Sequence, residues 1–166
     1  ETGFIDTYDV DAVLYTGYGG MLGGQAVLDV LTGKVNPSGH LTDTWSVEYK
    51  DIPAAANFYD CADGHPASGA DDALWIDTVY EEDIYVGYRY FDTFRKHIGF
   101  PLGYGLSYTD FQMTVYTYQW TEHGLKLEIS VKNTGDRPGK YCLQIYVQKP
   151  DSAIEKPARE LVEFEK

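Results

Sequence analysis

Positive charge is scarce in this sequence. Thirteen lysines and arginines face 26 aspartates and glutamates, a net charge of −13. A phosphate-backbone partner asks for basic patches, and an anionic membrane surface asks for the same. No nucleic-acid and no membrane partner is therefore expected. Long apolar runs are missing too, and none approaches the ~18–20 residues that a bilayer span requires. Cysteine is limited to Cys61 and Cys142. One sits in a loop-like stretch and the other in a strand-like one, with neither a disulfide framework nor a metal spacing. Both read as free thiols. The four histidines, His40, His65, His97 and His123, are scattered and form no HExxH or similar ligand pattern, so no metal is expected.

Two further motifs fall short of their chemistry. Gly17-Tyr18-Gly19-Gly20-Met21-Leu22 lies between a strand-like and a helix-like stretch, as a dinucleotide loop would. Its third required glycine falls on Leu22, and no Gly-Lys-Ser follows, so no cofactor is expected. Gly105-Leu106-Ser107 and Pro37-Ser38-Gly39 both lack the Gly-x-Ser-x-Gly elbow of a serine hydrolase.

What is present divides into two grammars. Residues 9–46 read as an α/β unit. Val10, Ala12, Val13, Leu14 and Tyr15 predict a short buried strand. A glycine cluster follows, and then Gln25–Leu31 carries apolar residues at helical spacing. Gly33 is placed to end that helix, and Asn36-Pro37-Ser38-Gly39 is turn chemistry. Residues 47–79 are loop-rich. Glu81, Glu82 and Asp83 then precede an apolar stretch read as a strand. On an extended chain Glu81 and Glu82 face opposite sides, so one points inward beside Arg89 or Tyr88. That carboxylate could act as an acid/base or hydroxyl acceptor, or simply pair with Arg89.

Residues 108–166 read as all-β. Leu125, Leu127, Ile129 and Val131 alternate with Lys126, Glu128, Ser130 and Lys132, the pattern of a half-buried strand. A turn at Asn133–Gly139 leads to Tyr141–Val147, which is expected to pair back as a hairpin. Fifteen tyrosines and three tryptophans (Trp45, Trp75, Trp120) offer ring faces for sugars, although such residues equally fill interfaces.

The order AVLYTGYGGMLGGQAVLDVLTGKVNPSGHLTDTW (12–45), YEEDIYVGYRYFD (80–92), FPLGYGLSYTDF (100–111), VKNTGDRPGKYCLQIYV (131–147) and ARELVEFEK (158–166) resembles the C-terminal part of glycoside hydrolase family 3. The resemblance implies an α/β fold followed by all-β. Residues 1–107 would be the end of the family's α/β sandwich domain with its linker. Residues 108–166 would begin a fibronectin type III-like β-sandwich. It implies a fragment of a retaining β-glycosidase, most like the β-glucosidases, acting on β-linked glucosides or related oligosaccharides.

The family's nucleophilic Asp sits in an N-terminal (β/α)8 barrel, and its acid/base Glu in a Gly-Glu-Gly-type loop. Both are expected upstream of Glu1, with the barrel supplied in cis. Retaining hydrolysis sets such carboxyls about 5–5.5 Å apart. Glu82 aligns with a glutamate of a Tyr-x-Glu-Gly-Ile-like motif, with Asp83 where glycine is usual, and is taken as structural. Glu82 remains the one catalytic candidate within the chain, which is expected to be inactive alone. The competing account is a stand-alone carbohydrate-binding or interaction module, for which aromatics aligned on a flat exposed face would speak. Uncovered sheet edges and apolar faces further predict a poorly soluble or molten isolated chain.

Overall fold

The computed structural model of the chain describes residues 2–57 and 80–166. Cys61, His65, Trp75 and most of the expected loop at 47–79 lie outside the described residues. The described α-helices are α1 (Gly3–Thr7), α2 (Gly23–Leu31) and α3 (Tyr88–Thr93). The strands are β1 (Phe111–Thr121), β2 (Gly124–Asn133), β3 (Leu143–Val147) and β4 (Glu160–Glu165). Helices thus occupy the first part and strands the last, as the two grammars predict. None of the described helices is long and apolar enough to cross a membrane.

The chain forms two compact units, each assembled from separated segments. The first comprises Glu1–Asp11, Leu41–Tyr104 and Gln144–Phe164. Its buried apolar centre is Phe91 of α3, only 3% exposed. The N-terminus is tied in by Thr2 and Gly3, whose amides donate to the Val47 carbonyl at 3.1 and 3.0 Å. Trp45 bridges Phe100 in antiparallel fashion. Leu41 N donates to Tyr104 O, and Gly103 N to Leu41 O, both at 2.8 Å. β3 hydrogen-bonds to β4.

The second unit comprises Ala12–His40, Gly105–Leu143 and Glu165–Lys166. Within it, α2 ends as its sequence predicts. Thr32 N donates to Leu28 O, and Gly33 N to Val30 O, both at 2.9 Å. Gly33 adopts φ +73°, a left-handed conformation that costs glycine little and a branched residue much. Asn36 then knots three loops. Its Nδ2 donates to Pro138 O (2.9 Å), while its Oδ1 accepts from Ser107 Oγ (3.1 Å) and Tyr108 N (2.8 Å). Arg137 Nη1 donates to Gly33 O at 2.8 Å, and Tyr108 OH to Val30 O at 3.0 Å. The Asn-Pro-Ser-Gly segment therefore serves as a fastener as well as a helix stop.

Three expectations need correction. The predicted strand at 10–15 belongs to no ladder, and Val13 and Leu14 are 51% and 42% exposed. A short apolar run becomes a strand only when neighbours pair with it, and the described residues supply none. The predicted strand after Asp83 is instead a tight turn followed by α3. Tyr85 N donates to Glu82 O at 2.8 Å, and Gly87 at φ +58° redirects the backbone into the helix. Finally, β2 pairs with β1, and β3 with β4, so Tyr141–Val147 is not the hairpin partner of β2. The two-residue connection Glu122-His123 keeps β1 and β2 together, whereas the longer loop after Asn133 releases β3 to another sheet.

The β1–β2 register carries one irregularity. Val115 pairs with Ile129 and Thr117 with Glu128, leaving Tyr116 as an extra residue. This bulge keeps the apolar residues together. Met113, Val115, Tyr118 and Trp120 share one face with their partners Val131, Ile129, Leu127 and Leu125. Gln112, Thr114, Thr117 and Gln119 share the other with Lys132, Ser130, Glu128 and Lys126.

Candidate functional site

The remaining carboxylate candidate, Glu82, lies in the first unit at the rim of a cavity of about 290 Å³. Pro53, Glu81, Glu82, Tyr85, Tyr90 and Phe94 line it. Glu81 and Glu82 arrive on the turn, so both reach the same cavity rather than opposite faces of a strand. The turn depends on Asp83 at φ +49°. Glycine reaches that region freely, and Asp is among the few other residues that tolerate it. The resemblance places glycine at this position, and the backbone supplies the reason. Tyr90 of α3 and Phe94, which caps its C-terminal end, are four residues apart, which sets their rings side by side. Phe94 meets Tyr85 edge-on at 5.0 Å between centroids, and Tyr90 at 5.2 Å.

The polar ends of this cluster are anchored. Tyr85 OH donates to Glu155 Oε1 at 2.6 Å. That bond, and then desolvation, hold the Tyr85 hydroxyl proton more firmly than in an ordinary tyrosine, raising its pKa. Glu155 lies in the segment between β3 and β4, and α3 grips that segment and the start of β4 at three more points. Thr93 Oγ1 accepts from Ala158 N at 2.9 Å, and Tyr88 OH accepts from Leu161 N at 2.7 Å. Arg159 Nε donates to Asp92 Oδ2 at 2.7 Å, its guanidinium stacked 4.4 Å from the Tyr146 ring centroid. The Asp92 contact strengthens the hold of Arg159 on its proton.

The ion pair expected between the acidic turn and Arg89 does not form. Ion pairs among the described residues join Lys34 to Asp29, Lys50 to Glu48 and Arg159 to Asp92. The Arg89 guanidinium instead lies 5.9 Å from the Tyr88 ring centroid, and its buried Nε has no hydrogen-bond partner. Extended-strand geometry would have suited the pair, and the turn removes it.

Other motifs lead to no second site. Gly17–Leu22 is an exposed loop running into α2. His40 Nδ1 sits 3.0 Å from Ser38 O, a local contact that fixes the imidazole within its own loop. Cys142 is a half-buried free thiol. Among the described residues no cluster of three His, Cys, Asp or Glu side chains could hold a metal. Tyr118 and Trp120 do lie together on an exposed face, 72% and 75% exposed. Their neighbours there are aliphatic, and Asn133, the amide at its end, is occupied by Thr109 Oγ1 and Arg137 O.

What the arrangement can do is limited. It presents an aromatic wall and two carboxylates at a shallow depression. It pins the segment before β4 onto α3. Sequence reasoning missed the Tyr85–Glu155 and Asp92–Arg159 contacts, because residues about 70 positions apart give no local signal.

Known proteins clarify the context. The model of the glycosyl hydrolase family 3 C-terminal domain matches residues 3–88. A beta-glucosidase of Ruminococcus albus is 41% identical over 100% of this chain and 16% of its own length. The solved beta-glucosidase 3B from Thermotoga neapolitana in complex with glucose is 39% identical. It superposes with a TM-score of 0.75 over 88% of this chain and 19% of its own. The beta-glucosidase from Kluyveromyces marxianus in complex with glucose is 35% identical, with a TM-score of 0.69 over 86% of this chain and 16% of its own. The chain thus spans under a fifth of the length of these relatives.

Proposed function

The chain belongs to glycosyl hydrolase family 3, and on that premise we propose that it works as the structural end of a retaining β-glycosidase of β-glucosidase type. The observation that carries this reading is the 41% identity to a beta-glucosidase running through the entire chain. In this reading the protein hydrolyses O-glycosyl bonds of β-linked glucosides or related oligosaccharides. The nucleophilic Asp and the acid/base Glu come from polypeptide preceding Glu1, with the barrel in cis. Residues 1–107 complete an α/β sandwich domain, and residues 108–166 open a fibronectin type III-like sandwich.

The role of Glu82 is to hold the turn into α3, where its carbonyl accepts from Tyr85 N. The aromatic cluster and the clasp on Arg159 support that role, because they fix backbone rather than present a reacting group. The test is to express the complete open reading frame containing this sequence and assay p-nitrophenyl β-D-glucoside. Hydrolysis with retention of anomeric configuration is expected. Absence of turnover on aryl β-glycosides, or inversion, would contradict the reading.

A further inference from the structure

The segment between β3 and β4 makes little structure of its own. Residues 148–159 belong to no helix or strand. Outside the helices and strands, no backbone–backbone hydrogen bond among the described residues involves 148–158. A stretch so poor in backbone bonds should fray. Yet Pro157 within it is buried, between exposed Lys156 and Ala158.

What holds the segment is α3 and the turn before it. Tyr85 OH grips Glu155, Thr93 Oγ1 the amide of Ala158, and Asp92 the guanidinium of Arg159. At the start of β4, Tyr88 OH takes the amide of Leu161. These contacts join residues between 65 and 73 positions apart.

Helix α3 is equally short of support. It has six residues, well below the ~12–15 at which an isolated helix becomes even marginally stable. Its N-cap, Gly87, supplies no side-chain bond, its first turn has no acidic residue and its last turn no basic one. Three of its residues, Tyr88, Asp92 and Thr93, are engaged with the segment or with the start of β4. Two elements that each lack stability, and that supply one another's contacts, order together.

Tyr85 extends this dependence to the cavity at Glu82. Its amide closes the acidic turn on Glu82 O, its ring meets Phe94 edge-on, and its hydroxyl holds Glu155. One side chain is thus both cavity wall and clasp. We propose that residues 148–159 form a releasable strap, and that strap, acidic turn and α3 open and close as one cooperative unit. Closed, the strap fixes the wall of the cavity; open, it frees Tyr85 and the cavity loses its shape. The clasping bonds lie at or near the surface, where water can replace each of them, and this makes the strap releasable. The dependence runs both ways, so loosening the turn loosens the strap as much as the reverse.

The inference rests on contacts within one unit, is independent of the glycosidase reading and is tested without activity. The measurement is hydrogen exchange on the protein expressed from its complete open reading frame. It is read at the amides of Tyr85 and Phe94 on one side and of Ala158 and Leu161 on the other. Glu155→Ala alters only the strap and Tyr85→Phe only the turn. Each removes one hydrogen bond and should quicken all four amides together, by roughly three- to tenfold. Arg159→Gln breaks the charge-assisted contact and should quicken them by about tenfold or more. Lys156→Gln, in the strap but outside the clasp, should change none of them. The proposal is overturned if Glu155→Ala and Arg159→Gln quicken Ala158 and Leu161 alone, because the strap would then open without the turn. It is equally overturned if neither side responds. Exchange that quickens as much at the α2 amides of Ala26 and Thr32 would also sink it, because the loss would then be general.

Discussion

The two units hold themselves together by different means. The first is built around α3, with Phe91 buried and a segment from elsewhere in the chain clasped by Tyr85, Tyr88, Asp92 and Thr93. The second has no residue in α2 that is buried, and β1 is exposed along nearly its whole length. Its order comes from a backbone ladder and from the amide of Asn36. One unit is fastened by side chains at specific points, and the other carries much apolar surface still facing water. That contrast fits a chain whose family members are several times longer, and it places sensitivity to mutation unevenly.

The contrast is most easily broken at its two anchors. Phe91→Ala should cost the first unit about 3–5 kcal/mol of unfolding free energy, because truncating a buried ring leaves a cavity. Chemical denaturation followed by far-UV circular dichroism would show it, and a loss below about 1 kcal/mol would mean that α3 is not the centre of that unit. Asn36→Ala should cost the second unit about 1–3 kcal/mol, since it strips Pro138 O, Ser107 Oγ and Tyr108 N of their partner. Hydrogen exchange should quicken at Tyr108 and around Gly33 while the amides of α3 stay unchanged. Exchange that quickens equally in both units would erase the distinction between them.

Smaller effects sharpen the comparison. Deleting Tyr116 should cost about 0.5 kcal/mol or less, because it is the extra residue of the bulge and its loss keeps Tyr118 and Trp120 on the apolar face. Deleting Gln119 instead should disrupt the ribbon, because Trp120 would then change faces. Thermal unfolding of the two deletions side by side separates these outcomes.

The smallest expected effect is a dependence on alkaline pH. The pKa of Tyr85 is raised by its bond to Glu155. A group raised on folding contributes fully below its unfolded value and loses that contribution as pH climbs through the folded one. Stability of the first unit should therefore decline above about pH 10, the ordinary tyrosine range. Tyr85→Phe should flatten the decline between pH 9 and 11.

Much of the local structure was legible. The spacing within Gln25–Leu31 and the placement of Gly33 gave α2 and its end, since both are decided within a few residues. The period-two pattern from Leu125 to Val131 gave β2 for the same reason. Partners were not legible. Nothing local told β2 to take β1 rather than β3, because Glu122-His123 lacks the glycine and asparagine of a recognisable hairpin turn. The apolar run at 10–15 and the stretch after Asp83 each looked like strands, but strand formation depends on neighbours. Gly87 and the left-handed Asp83 turned the second into a helix entrance. The cavity at Glu82 followed from that turn, so its lining could not be assembled from an extended-strand reading. The family was legible because its motifs are matched in identity and order, which asks nothing of tertiary pairing.

The central claim is that the reacting carboxylates lie outside this chain. It is tested most directly by assaying the purified 166-residue chain with an aryl β-glucoside, alongside its Glu82→Gln variant. The account predicts no turnover above the buffer rate for either. Turnover by the unaltered chain that disappears in Glu82→Gln would contradict it and would make the cavity at Glu82 an active site.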